Sequence, residues 1–186
     1  MTTSLVTGSI GQIMRDSGKS LAETWLNVDA CILVDISGSM DQSDARGGKS
    51  RYDVAQEELA RLQANLPGKL AIIAFSRETI FVPSGSLPGT QGTTNLAGAL
   101  KFARAADKIP DMRFIIISDG EPDDEREALD EARLYKNRID TVYVGPEDGS
   151  GRAFLKKLAG LHGGEALTKP KLEQLATGVM KLLEVK

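Results

Sequence analysis

The sequence predicts an α/β fold whose mostly parallel sheet is covered by helices on both faces, with one antiparallel strand at an edge. Three observations predict it. Short apolar runs rich in β-branched residues alternate with longer segments of helical period. Runs such as Asp29 to Val34 (DACILV) and Arg113 to Ile117 (RFIII) are continuously apolar, as strands buried on both faces require. One pair of runs, LAIIAF and TIFV, is separated only by Ser76-Arg77-Glu78, too few residues for a crossover, so it must turn back as a hairpin.

In chain order, Ser20 and Glu23 have capping-box spacing ahead of Trp25-Leu26 and predict a short helix. Ile10, Ile13 and Met14 extend an apolar stripe upstream, although Gly11 and Gly18 oppose a helix there. The single tryptophan is expected to dock this segment on the core. Residues 1–27 are therefore read as an extension packed on a main domain of residues 28–186. DACILV is the first strand. Arg51 to Leu66 is a helix, with Val54, Leu59, Leu62 and Leu66 near helical spacing and Pro67-Gly68 as its stop. Leu70 to Phe75 and Thr79 to Val82 form the hairpin. Leu96 to Lys108 is a helix, RFIII a central strand, and Asp123 to Asn137 a helix whose acidic first turn suits the positive end of its dipole. Ile139 to Val144 is a strand, Arg152 to Leu161 a helix, Ala166 to Thr168 a short edge strand, and Leu172 to Val185 a closing helix.

Composition narrows function by exclusion. The 186 residues are 41% hydrophobic and 26% charged, which excludes a disordered or fibrous chain. Cys31 is the sole cysteine and His162 the sole histidine, so neither a disulfide scaffold nor a conventional zinc site can be built. The net charge of −3 provides no basic field for nucleic acid. No apolar run reaches the ~18–20 residues of a membrane span, and the first residues lack the signal-peptide pattern. A soluble cytoplasmic protein without nucleic-acid or membrane partners is the resulting expectation.

Ligands of open α/β sheets gather beyond the carboxyl ends of the strands. Asp35-Ile36-Ser37-Gly38-Ser39 follows the first strand, Ser118-Asp119-Gly120-Glu121 follows RFIII, and Gly92-Thr93-Thr94-Asn95 precedes the helix at Leu96. These loops carry two carboxylates and several hydroxyls, with no imidazole and no thiol. That hard-oxygen set selects Mg²⁺, Mn²⁺ or Ca²⁺. Asp35, Ser37 and Ser39 alternate, so a loop turning at Gly38 can aim three oxygens at one point. Neutral hydroxyls quench little of a dication's charge, and a coordination position left open could accept a visiting carboxylate.

DISGS after a buried strand, GTTNLAGAL opening a helix and IIISDG after the next strand resemble the von Willebrand factor A (vWA) domain family. They match its metal-ion-dependent adhesion site, D-x-S-x-S with a distant Thr and a distant Asp. The resemblance runs from Asn27 to Lys186 and includes the LAGLHGG turn. It implies a doubly wound, Rossmann-like sheet of about six strands. It further implies that Ser37 and Ser39 bind the metal directly and that Asp35 and Asp119 bind directly or through water. Counting back from Ala99-Leu100 places Thr94 at the threonine position, with Thr93 as the other register. The implied ion is Mg²⁺, with Mn²⁺ or Ca²⁺ possible, and the implied partner is a protein presenting a Glu or Asp. Intracellular members of the family often work beside AAA+ ATPases.

The same residues have plainer readings. Asp35-Ser37-Ser39 could be a polar turn capping the next helix, and Thr93 or Thr94 could cap the helix at Leu96. Glu121, Asp123, Asp124 and Glu125 read as helix-start charges. Several enzyme motifs fail. A dehalogenase-type D-x-D is interrupted by Ser37, and Ile13 and Ser43 stand where the two possible Walker loops need Gly. An EF-hand starting at Asp35 would need Gly at Met40 and Glu at Arg46, and a hydrolase elbow lacks its glycine. His162 reads as a helix-end residue and Cys31 as packing. The expected function is thus non-enzymatic: a divalent-cation-dependent adhesion or adaptor domain. A metal-dependent phosphohydrolase and a metal-independent scaffold are the alternatives.

Overall fold

A computed structural model describes residues 4–44, 48–145 and 149–168; the expected helix from Leu172 to Val185 lies outside them. Six strands form one sheet: β1 (Ala30–Asp35), β2 (Leu70–Phe75), β3 (Thr79–Phe81), β4 (Arg113–Ser118), β5 (Ile139–Tyr143) and β6 (Ala166–Thr168). Their spatial order is β3-β2-β1-β4-β5-β6. Every neighbouring pair is parallel except β2 and β3, the expected hairpin. The fold is therefore doubly wound and Rossmann-like, with its antiparallel strand at one edge.

The central strands bury both faces because their side chains alternate between two cores. Cys31 and Leu33 of β1 join Phe114 and Ile116 of β4 on one face, under α4 (Leu96–Ala103), α5 (Glu125–Ala132) and α6 (Gly151–Gly160). Ile32 and Val34 join Ile115 and Ile117 on the other, where α3 (Arg51–Asn65) supplies Val54, Leu59 and Leu62. The two crossovers thus run over opposite faces: α3 carries the chain from β1 to β2, and α4 carries it from β3 to β4. This is the arrangement that opens a crevice at the carboxyl ends of β1 and β4.

Upstream of β1 lie α1 (Ile10–Ser17) and α2 (Leu21–Trp25). The capping box forms: Glu23 N donates to Ser20 Oγ and Ser20 N donates to Glu23 Oε2. Gly11 does not break α1. It lets the helix approach Pro83, whose carbonyl oxygen a Cβ would meet at 2.8 Å. Gly18 simply ends the helix. Ile10 is buried in the first core, and the Trp25 ring packs edge-on against Phe81 with centroids 5.4 Å apart.

Two helices differ from their expected extents by more than one residue at an end. The segment from Leu96 to Lys108 is α-helical only to Ala103 and finishes as a 3-10 helix over Arg104–Lys108. The expected helix from Asp123 to Asn137 is shortened at both ends to α5. Asp124 takes the N-cap, accepting from Glu127 N at 2.9 Å, while Asp123 turns to the Thr94 loop. Downstream, the Asp107 carboxylate accepts from Lys136 N and Asn137 N, and the Tyr135 hydroxyl donates to Leu100 O. Tertiary bonds to these groups replace another helical turn.

Candidate metal site

Asp35 is the last residue of β1, paired with Phe75 of β2, and its predecessor Val34 pairs with Ile117 of β4. The sheet therefore sets Asp35 beside Ser118, the last residue of β4. Ser118 Oγ donates to Asp35 Oδ2 at 2.6 Å, and Ser37 N donates to Asp35 Oδ1 at 2.8 Å. Gly120 N donates in turn to Ser118 Oγ. The carboxylate is fully buried. Removal from water pushes its pKa up to about 6, outweighing the bonds from Ser118 and Ser37, and the charge of nearby Asp119 adds to the rise.

Three loops converge here through backbone bonds. Gly38 N of the first loop donates to Gly92 O at 3.2 Å, and Gln91 N donates to Ile36 O. The second loop is tied to the third by Asp123, whose N donates to Thr94 O and whose carboxylate accepts from Thr94 N and Thr93 Oγ1. Of the expected residues, Asp35, Ser37, Thr94 and Asp119 are buried and Ser39 is half-buried. Thr93 is exposed and its hydroxyl donates to Asp123, whereas Thr94 is buried.

Side-chain capping of the helices that follow falls to other residues. Ser37 stands before a 3-10 turn (Gly38–Asp41) without a capping bond from its side chain, and its Oγ lies 3.1 Å from Ser39 Oγ. The N-cap of α3 is Ser50, and that of α4 is Asn95, which accepts from Gly98 N. Capping therefore leaves Ser37, Ser39 and Thr94 hydroxyls unused. Of the acidic rim, Asp124 and Glu125 are helix-start residues, whereas Asp123 is the tie between loops.

The donor set fits a hard dication. Asp119 Oδ1 is buried and has no hydrogen-bond partner among the described residues. An unpaired buried carboxylate oxygen is costly unless a cation meets it. No group of three or more His, Cys, Asp and Glu is placed to hold a metal among the described residues. An ion here would draw on Asp35 and Asp119 and take its remaining oxygens from Ser37, Ser39, Thr94 and water.

Two residues of the site escaped the sequence reading. Ser118 belongs to β4 yet bonds Asp35, a contact that only strand register creates. Arg51, 2% exposed, places Nη1 3.4 Å from Asp119 Oδ2. Its signal was a cation at the first position of a helix, where the dipole is unfavourable. His162 and Cys31 take no part. His162 Nε2 lies 2.9 Å from Ala132 O, and Cys31 is buried, its thiol pushed up to about 12 by desolvation.

No family model matches the sequence, and no curated protein matches it. Solved structures do match. An aerotolerance-related membrane protein from Bacteroides fragilis, carrying multiple mutations to serines, superposes with TM-score 0.68 at 16% identity; the match covers 86% of this chain and all of that one. A von Willebrand factor type A structure from Catenulispora acidiphila gives 0.65 at 17% identity, over 83% of this chain and 41% of that chain. Manganese-loaded TRAP protein from Plasmodium vivax gives 0.60 at 16% identity, over 84% and 73%.

Proposed function

Given a vWA-type fold with this crevice, we propose that the protein is a divalent-cation-dependent protein-interaction domain. Asp35, Ser37, Ser39, Thr94 and Asp119 hold Mg²⁺, or Mn²⁺ or Ca²⁺ in its place. An acidic side chain of a partner protein completes the coordination. The observation that carries this reading is the buried, unpartnered Asp119 Oδ1 in a crevice that also holds Asp35 and two uncapped serine hydroxyls. A bound dication supplies a concentrated positive charge that an anionic oxygen can approach. The chain's own contribution is to hold the oxygens in place. Ser118 and Ser37 N fix the Asp35 carboxylate, and Asp123 fixes the loop bearing Thr94.

Binding fits this chemistry better than turnover. The described site has neither imidazole nor thiol, and the Asp35 carboxylate has both oxygens engaged. The neighbour from Plasmodium vivax is a manganese-loaded protein, and that supports the reading by analogy.

Titrating MgCl₂ and MnCl₂ into chelator-treated protein should raise the melting temperature, and Ser39→Ala should abolish that rise while preserving the circular dichroism spectrum. A protein partner retained on the immobilised domain should be released by EDTA. Normal metal binding by Ser39→Ala would overturn the site assignment, and EDTA-insensitive retention would favour a metal-independent scaffold.

A further inference from the structure

Among the described residues, Arg51 is the one arginine or lysine buried from solvent. It opens α3, where a positive charge faces the positive end of the helix dipole and needs strong compensation. The compensation is specific. Nε donates to Asp44 Oδ1 at 2.8 Å, Nη2 donates to Asp44 Oδ2 and to Gln42 Oε1, and Nη1 reaches Asp119 Oδ2 at 3.4 Å. One guanidinium thus joins the Gln42–Asp44 rim to one oxygen of Asp119. The other oxygen of Asp119 is the buried atom without a partner.

The two acidic partners are not equivalent. The Asp44 side chain is 48% exposed, so water screens its charge, whereas Asp119 is 5% exposed and faces Arg51 in a weakly screened interior. Asp35 and Asp119 together balance a dication. Arg51 subtracts from that balance by about one charge, reduced by what reaches the site from Asp44.

We propose that Arg51 is a charge-balancing residue of the cation site. Its guanidinium lies against one oxygen of Asp119 and leaves the bound ion short of negative charge, which favours an anionic ligand from outside. The guanidinium therefore loosens the hold on the bare cation and strengthens its demand for a carboxylate. This rests on the metal-binding reading above.

The test is calorimetric titration of MnCl₂ into chelator-treated wild type, Arg51→Met, Arg51→Lys, Asp44→Asn and Asp41→Asn, with folding followed by circular dichroism. Removing a weakly screened positive charge should tighten Mn²⁺ binding by about tenfold in Arg51→Met. Arg51→Lys should stay near wild type because the charge is kept. Asp44→Asn should weaken binding, since the guanidinium charge is then uncompensated. Asp41→Asn, which loses a rim carboxylate bonded to Thr90 rather than to Arg51, should weaken it less. A purely structural arginine predicts the opposite sign for Arg51→Met, because a disordered Asp119 binds the ion less well. Folded Arg51→Met with unchanged or weaker Mn²⁺ affinity overturns the proposal. Should Arg51→Met not fold, equal affinities of Asp44→Asn and Asp41→Asn overturn it. Wild type that binds no Mn²⁺ overturns the metal reading itself, and a wild type that binds while the variants fail these expectations overturns only the role of Arg51.

Discussion

Asp35 ends β1 with both oxygens bonded and no exposure, yet burial still holds its carboxyl near 6. A carboxyl whose pKa is higher folded than unfolded takes up a proton on folding. Without metal, its contribution to stability therefore rises as pH falls through 6 towards the ordinary value of 3.8, and is lost as pH rises through 6. In EDTA, the urea midpoint of wild type relative to Asp35→Asn should move in favour of wild type between pH 7 and pH 5. An unchanged difference would show that Asp35 carries no such shift. At this scale the sequence was informative about where Asp35, Ser37, Ser39 and Asp119 lie, in or beside the loops that follow β1 and β4, because residue type and spacing are local properties. It was silent on Ser118 as the partner of Asp35, because that bond depends on the register between β1 and β4.

Elements position these residues through their ends. Ser50 caps α3 by accepting from Asp53 N at 3.0 Å, directly before Arg51. Ser50→Ala should cost about 1 kcal/mol, read as a lower denaturation midpoint, with Mn²⁺ affinity retained because Arg51 keeps its own partners. Element types followed from hydrophobic period, and the β2–β3 hairpin followed from its three-residue connection. Helix ends were less legible. Nothing local in Asp123 says that it will bind Thr94 instead of opening α5, and nothing local in Lys136 or Asn137 announces the Asp107 carboxylate. A helix ends where a distant partner satisfies its backbone better than another turn does.

At the scale of the whole molecule, the crevice exists because the crossover from β1 to β2 and the one from β3 to β4 lie on opposite faces, so the strand order reverses between β1 and β4. The loop after β4 is further set by α6. Gly120 has φ of +75°, and a Cβ on it would lie 2.3 Å from Gly151 O, at the first residue of α6. Gly120→Ala should therefore destabilise the fold by roughly 2 kcal/mol or more, since left-handed backbone and a backbone clash combine. Because the displaced residue adjoins Asp119, Mn²⁺ binding should fall as well. A thermal scan and a manganese titration on the same sample check both.

By itself, the sequence determined the class of this protein. Continuous apolar runs between amphipathic helices demand a sheet buried on both faces, and the loops after those runs carry hydroxyls and carboxylates suited to a hard cation. These are matters of composition and period, read over a few neighbouring residues. Only the tertiary structure decided which oxygens are already taken and which are not. It gives Ser50 and Asn95 the capping work, spends Asp123 on the Thr94 loop, buries Arg51 against Asp119 and leaves Asp119 Oδ1 without a partner. The physical reason is that hydrogen-bond partnership and desolvation depend on distances between residues far apart in the chain, and folding alone sets those distances.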